Sequence, residues 1–368
     1  MLLKDLTLRI TKGTTPNSSS YGKNEVTYIK SESLSYDGIV DESKFATIDF
    51  ETHNTKLKRS ILKENDILYS IAGMNLGKVG IVKSKYLPAN TNQAVAIITV
   101  NNDLVIPKFL YYYLQQKSVV NFVNSGVSQS AQPNINLAQI GDFDITVPSK
   151  TIQEKIVKIL DNITNKIILN KDINNNLHEL EKNIYKEYFK KLTDDNTKKL
   201  GELCNIKYGK GLPTTKIENE GYPVYGGNGI IGYYHDFMYD DSQVLISCRG
   251  AASGNVIVSK PQSFVTNNSL VLECDRKYHH YLKQYSLDKY YYEYTTGSAQ
   301  PQITSDNIKD IVLSIPSDEL LESFNKQMDS LELKYFASLE EIVKLEQLRD
   351  TLLPKLMNGE IDLDNIEI

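Results

Sequence analysis

The chain's 368 residues allow two to three domains at roughly 150 residues each, and a hydrophobic content of 40% suffices for real cores. The longest apolar run, Ala94–Val100, is far short of the roughly 20 residues of a membrane span, and the opening MLLKDLTLRITKG lacks a signal peptide's apolar core, so a cytoplasmic chain with no membrane partner is expected. A net charge of −5 argues against nucleic acid only as an average: residues 1–150 carry +3, 151–199 +2, 200–317 −2 and 318–368 −8, so the acidity belongs to the tail, where it serves solvation or a protein partner.

Residues 1–150 read as a mixed domain rich in strands. Short β-branched or aromatic runs, Glu25–Ile29, Asp66–Ile71, Val79–Val82 and Ala94–Val100, stand between Gly, Asn, Ser and Pro turns. Pro107 opens a predicted helix that continues through LYYYLQQKSVVNFV, since proline costs no hydrogen bond in a first turn. Its tyrosines read as packing. From Thr151 the apolar period becomes three-four for about forty residues, Ile152, Ile156, Ile159, Leu160, Ile163, Ile167, Ile173, Leu177, Leu180, Ile184 and Tyr188, which predicts one long helix over 151–195. Residues 196–317 form a second mixed domain. A second long helix and tail fill 318–368, with helix-breaking chemistry at Pro354 and Gly359.

Each long helix has one apolar stripe, and burying the two stripes against each other gives an antiparallel two-stranded coiled coil. Its a positions are Ile156, Ile163, Asn170, Leu177 and Ile184 on the first helix and Phe324, Leu331, Ser338, Leu345 and Leu352 on the second. Antiparallel pairing brings Asn170 opposite Ser338, a polar pair that fixes register; the other reading is that NKDINNN (Asn170–Asn176) is a frayed, solvated stretch.

The chain is written twice. SAQPNI (Ser130–Ile135) recurs as SAQPQI (Ser298–Ile303), and sliding the sequence by 168 keeps nine identities in the twenty positions Ser130–Ser149. A period that long means a duplicated domain, because solenoid repeats run about 20–50 residues. LKDLTLRITKGTTP (Leu3–Pro16) echoes LGELCNIKYGKGLP (Leu200–Pro213), and DILYSIAGMNLGKVGIV echoes QVLISCRGAASGNVIV at an offset of 177, keeping Gly73/Gly250 and Gly77/Gly254. The expected fold is therefore α+β: two mixed α/β domains separated by two long antiparallel helices, with pseudo-twofold symmetry.

Catalytic signatures are missing. There is no Asn/Asp-Pro-Pro-Tyr/Phe tetrapeptide of a DNA amino-methyltransferase, no Walker A pattern, no H-E-x-x-H and no G-x-S-x-G. Cys204, Cys248 and Cys274 lack metal or disulfide spacing and read as small hydrophobes, and His279-His280 are adjacent, so they point apart, with no accompanying carboxylate motif. No catalytic residue, bound cofactor or metal is expected. Glycine lets the loops IAGMNLGKVG and SCRGAASGNV approach a partner closely, and Asn75, Lys78, Arg249 and Asn255 there offer donors for phosphate or base edges. Lys12 and Thr14 in one turn, Lys210 in the turn matched to it through Gly13 and Gly211, and Asn228 in YGGNG complete the candidate set. The plainer reading is tight hairpins with solvated side chains.

The duplicated S-A-Q-P-x-I with I-x-D and P-S after it, the helix pair and the ending LRDTLLPKLMNGEI (Leu348–Ile361) together resemble the specificity subunit of type I restriction-modification systems over essentially the whole length. The chain departs from that picture in starting almost directly in the first domain and in its short tail after Gly359. The resemblance implies that each mixed domain is a target-recognition domain reading one half of a bipartite site on double-stranded DNA. It further implies that the helices space these domains and bind two modification (methyltransferase) subunits, through which restriction subunits join, with S-adenosylmethionine held by the methyltransferase. Two rivals are a self-sufficient restriction-methylation enzyme, which the absent motifs disfavour, and a protein-only scaffold.

Overall fold

The computed structural model describes residues 1–73, 76–125, 134–192, 196–297 and 300–363. They divide into two compact units, Met1–Leu169 with Glu341–Ile368, and Asn170–Glu340. The first unit contains strands β1 (Thr7–Lys12), β2 (Tyr21–Ile29), β3 (Ala46–Ile48), β4 (Ile67–Ser70), β5 (Val79–Ile81), β6 (Ala89–Thr91) and β7 (Val95–Val100). Its helices are α1 (Phe50–Asn54), α2 (Pro107–Tyr113), α3 (Lys117–Ser125), α4 (Leu137–Gly141) and the first half of α5 (Lys150–Phe189). In the second unit β8 (Thr197–Lys199), α6 (Leu200–Leu203), β9 (Cys204–Tyr208), β10 (Tyr222–Gly226), β11 (Gly229–Tyr234), β12 (Val244–Ser247), β13 (Val256–Val258), β14 (Phe264–Val265) and β15 (Ser269–Cys274) precede α7 (Arg276–Asp288), α8 (Ser305–Ile308) and β16 (Val312–Ser314). Helix α9 (Asp318–Met357) begins in the second unit and ends in the first.

The two domains share one topology. An antiparallel sheet ordered β1-β7-β4-β5 in the first unit becomes β9-β15-β12-β13 in the second. Three-stranded sheets ordered β3-β2-β6 and β11-β10-β14 stand beside them, each with one antiparallel and one parallel pair. Alternation places Ile67, Tyr69, Ala96 and Ile98 on one face, where they meet α2 and the long helices, and Leu68, Val95 and Ile97 on the other.

Within each unit the long helices run antiparallel and share their core with the recognition domain. In the first unit Ile156 and Leu160 of α5 pack with Leu353, Leu356 and Met357 of α9 and with Leu3, Phe109 and Ile140. In the second, Phe189 and Phe324 stand 4.9 Å apart between ring centroids, and Phe189 lies 5.0 Å from Tyr281 of α7. Ile163 is buried, while Leu177, Ile184, Leu331, Leu345 and Leu352 are half-buried. Asn170 is buried, and the Ser338 hydroxyl donates to its carbonyl oxygen at 3.3 Å.

The 168-residue offset extends into a carboxylate clamp. Lys108 and Tyr112, one turn apart on α2, donate to Asp161 at 2.5 and 2.8 Å. Arg276 and His280, one turn apart on α7, approach Asp329 at 2.6 and 2.8 Å. Each pair is a charge-assisted donor with a second polar partner on one helix face.

Several expectations require correction. The helix from Pro107 is two helices, broken at Leu114–Gln116, so that α3 turns away with its Val123 in the core while Phe122 stays exposed. Helix α9 does not stop at Pro354 but runs through it to Met357, with Gly359 at φ +71° taking the left-handed position just beyond the end. Ile173, Leu180 and Leu348 belong to the apolar repeat yet are exposed, because forty residues at a three-four period drift around a straight helix faster than one partner can follow. His279 and His280 do gather with a carboxylate, Glu332, their ligand atoms within 4.8 Å of one another. Lys283 sits 3.4 Å from that carboxylate, so an ammonium supplies the neutralising charge there.

Replacing Phe324 with Ala is expected to cost about 3–5 kcal/mol in chemical denaturation, against less than about 0.5 kcal/mol for Leu333→Ala, whose side chain is 73% exposed. Burial, helped by the charges of His280, Arg276 and Lys283, lowers the His279 pKa from its ordinary 6.5 to about 3. The unfolded chain therefore binds a proton that the folded one refuses, and stability falls as pH drops from 6.5 toward 3. Tyr111 occupies the matching place in the first unit. His279→Tyr should flatten the loss measured by urea unfolding at pH 7 and pH 5; an unchanged slope would show that His279 does not carry it.

Candidate nucleic-acid interface

The end of β1, the starts of β7 and β5 and the end of β4 lie at one end of the larger sheet in the first unit, as Lys12↔Ala96, Ser70↔Val95 and Tyr69↔Val79 pair there. Tyr208↔Leu270, Ser247↔Ser269 and Ile246↔Val256 define the same end in the second. Three inter-strand spacings of about 4.8 Å make it roughly 14 Å wide. The major groove of B-DNA is about 12 Å wide.

Backbone chemistry at this end is duplicated. Gly13 N–H donates to the Val95 carbonyl at 3.0 Å and Thr14 N–H to Thr91 at 3.0 Å; Gly209 and Lys210 donate to Ser269 and Val265 at 3.1 and 2.9 Å. A Cβ on Gly13 would sit 2.2 Å from the Asn92 and Thr91 carbonyl oxygens, and one on Gly209 2.3 Å from that of Val265. So Gly13 corresponds to Gly209, not to Gly211, and Lys210 stands in the place of Thr14. A one-residue bulge between Thr7 and Arg9 that β9 lacks accounts for one residue of this shift and leaves Leu8 70% exposed, while the recurrence of Lys-Gly at 210–211 displaces the sequence match by the other.

The glycine loops close alike. Gly77 N–H donates to the Ser70 carbonyl at 3.0 Å and Gly254 N–H to Ser247 at 2.8 Å, with Gly73, Gly77, Gly250 and Gly254 all at positive φ. The repeated Gln-Pro phrase explains itself here. Ala72 bridges Asn134 and Arg249 bridges Gln302, while Ile135 and Ile303 donate to Ile71 and Cys248. The phrase thus braces the glycine loop, and the capped helices α4 and α8 intervene before the long helices begin. Ser130–Pro133, Ser298, Ala299 and the candidate Asn75 lie outside the described residues.

The structure brings Lys12, Thr14 and Lys78 to the sheet end of the first unit and Lys210, Arg249 and Asn255 to that of the second. Asn228, exposed at the β10–β11 turn, adjoins it, since a Cβ on neighbouring Gly227 would lie 2.9 Å from Ser247 Oγ. Lys12, Lys210 and Arg249 are exposed and have no carboxylate partner among the described residues. The Lys78 ammonium lies 5.8 Å from the Tyr36 ring centroid. Sequence reasoning missed Tyr208, which the corrected register puts in the place of Lys12, and Tyr292, whose amide would meet a Cβ on Gly254 at 2.7 Å. Both are exposed aromatics, a type on which bases stack. Burial pushes the Cys204 thiol up to about 12 and the Cys274 thiol up to about 11, which keeps both protonated.

A family model described as the type I restriction modification DNA specificity domain matches residues 3–179 and 194–347. The type I restriction enzyme EcoprrI specificity subunit of Escherichia coli is 25% identical over 284 residues, covering 70% of this chain and 69% of that one. The MjaIX specificity subunit of Methanocaldococcus jannaschii is 23% identical over 335 residues, covering 79% and 76%. The crystal structure of a type I restriction-modification system S subunit from M. genitalium superposes with a TM-score of 0.60 at 18% identity, over 97% of this chain and 95% of that one, a likeness of fold.

Gly209→Ala is expected to destabilise the second unit by about 1–3 kcal/mol, since backbone must move to admit the methyl, while Gly211→Ala, with nothing within 4 Å, is near neutral. Thermal unfolding of the two variants checks the corrected register; the reverse order would refute it.

Proposed function

The chain belongs to the type I restriction modification DNA specificity family, and from that premise we propose that each of its two domains reads one half of a bipartite, gapped site on double-stranded DNA. One observation carries this reading. The two sheet ends have the same backbone frame and different side chains: Lys12 stands where the other has Tyr208, Thr14 where it has Lys210, Ala72 where it has Arg249 and Lys78 where it has Asn255. Equal frames hold equal depths in a groove; unequal donors and stacking groups select unequal bases. Arg249 is the group suited to a bidentate contact with guanine, and Lys12 and Lys210 to phosphate.

The chain is the recognition component and not the catalyst of its system. Methyl transfer falls to two modification subunits that carry S-adenosylmethionine, with restriction subunits joining through them, in the cytoplasm. Leu180 and Leu348 occupy equivalent positions 168 residues apart and are each 45% exposed, so one kind of subunit finds the same apolar anchor twice. The long helices set the gap. At 1.5 Å per residue, a heptad removed from each shortens the spacer by about 10 Å, about three base pairs of 3.4 Å.

Deleting the gene and mapping methylated bases across the genome tests the reading. A bipartite gapped motif should lose its methylation; exchanging residues 1–150 for those of a relative should then change one half only, and removing a heptad from both helices should shorten the gap with the half-sites intact. An unaltered methylome in a strain shown to methylate, or altered half-site letters in the heptad variant, would count against it.

A further inference from the structure

The carboxylate clamp is the same in both units, so it does not distinguish one recognition domain from the other. The residue that does lies, in each unit, on the long helix opposite the one that carries the clamp carboxylate. At positions 168 residues apart α5 carries Glu181 and α9 carries Arg349, both buried. Glu181 accepts from Lys283 at 3.2 Å and from Gln284 at 3.0 Å, and Lys283 also lies 3.4 Å from Glu332. Every member of this group is at most 8% exposed. In the first unit the same offset puts Gln115 and Gln116 in the places of Lys283 and Gln284, and Thr164 in that of Glu332. Arg349 there pairs with its neighbour Asp350 at 2.9 Å, and its charge reaches the buried Tyr111, to which Gln115 is bonded. Arg349 Nη1 and Gln115 Oε1 are buried with no partner.

We infer that positions 181 and 349 form an address that assigns each recognition domain to its own stretch of the helix pair. A domain whose crossing helix carries a lysine at this place fits against Glu181 and Glu332 and is refused where Arg349 and Thr164 stand, since two cations would then compete for Asp350, the carboxylate that already pairs with Arg349. A domain carrying glutamine there leaves Glu181 and Glu332 buried without their ammonium, so it is disfavoured at the second position. The address is therefore two-sided: each domain is disfavoured in the place of the other, the second by an excess of buried cations and the first by a deficit. This holds whatever the domains bind.

The test uses full-length chimeras with both long helices retained. With residues 196–315 copied in place of 1–147, the chain is expected to gain at least tenfold in its folded-to-unfolded ratio when Arg349→Glu is added, and again when the transplanted lysine is replaced by glutamine instead. With residues 1–147 copied in place of 196–315, a like gain is expected when the transplanted glutamine that takes the place of Lys283 is replaced by lysine. A first chimera equally unstable with Arg or Glu at 349, or a second one equally unstable with glutamine or lysine in the place of Lys283, overturns the address. In the natural chain, Glu181→Arg and Lys283→Glu should each weaken hydrogen-exchange protection of α7, and the pair together should restore most of it; a pair as weak as the worse single variant overturns the proposal independently of the chimeras.

Discussion

A helix of forty residues cannot cover its own apolar stripe, and everything else in this chain follows from how the two stripes are covered. Each half of α5 meets the opposite half of α9, yet two helices bury only a narrow seam. The recognition domain supplies the remaining cover. Leu3, Phe109 and Ile140 join Ile156 and Leu353 in one continuous core, and Tyr281 and Leu282 join Phe189 and Phe324 in the other. In each unit the recognition domain is thus not an attachment to a finished helix pair, because the core of that pair is incomplete without it. The orientation of each reading end is set by core packing, which resists deformation far better than a linker would.

Much of this organisation was legible in the sequence, for a physical reason. Duplication preserves spacing wherever packing forbids insertion, so the 168-residue offset survived from α2 through the Gln-Pro phrase to the end of the long helix, and glycine marked the loops because positive φ admits little else. What remained hidden depended on tertiary context. Nothing local reveals that Leu8 is an extra residue, which moves the turn by one, and the Lys-Gly pair that recurs at 210–211 points one residue further from the true match. The break at Leu114–Gln116 falls in a good helical sequence and exists because α2 and α3 pack on different surfaces. Leu180 and Leu348 obey the helical period while facing outward, a distinction that no period contains. The Gln-Pro phrase is plain in the sequence, but its role as a brace for a loop some sixty residues away lies in the fold.

The electrostatics divide along the same lines. Buried charges in the second unit are compensated within the group formed by Glu181, Lys283 and Glu332, and exposed acids such as Asp142 and Asp310 take Lys4 and Lys199 as partners. Lys12, Lys210 and Arg249 stand outside this compensation, at the one end of each sheet where the backbone frame is duplicated. A net charge of −5 is therefore compatible with a surface that favours phosphate locally.

The bulge at Leu8 has a wider meaning. Adding one residue to a strand normally turns every later side chain to the opposite face. Here the extra residue is absorbed at the end of β1 remote from the glycine loop, and Lys12 still pairs with Ala96 as Tyr208 pairs with Leu270. The larger sheet thus has a sacrificial end and a protected one. The one extra residue is taken up at the first while the second keeps its register, so a change of length in this strand leaves in place the alphabet in which specificity is written.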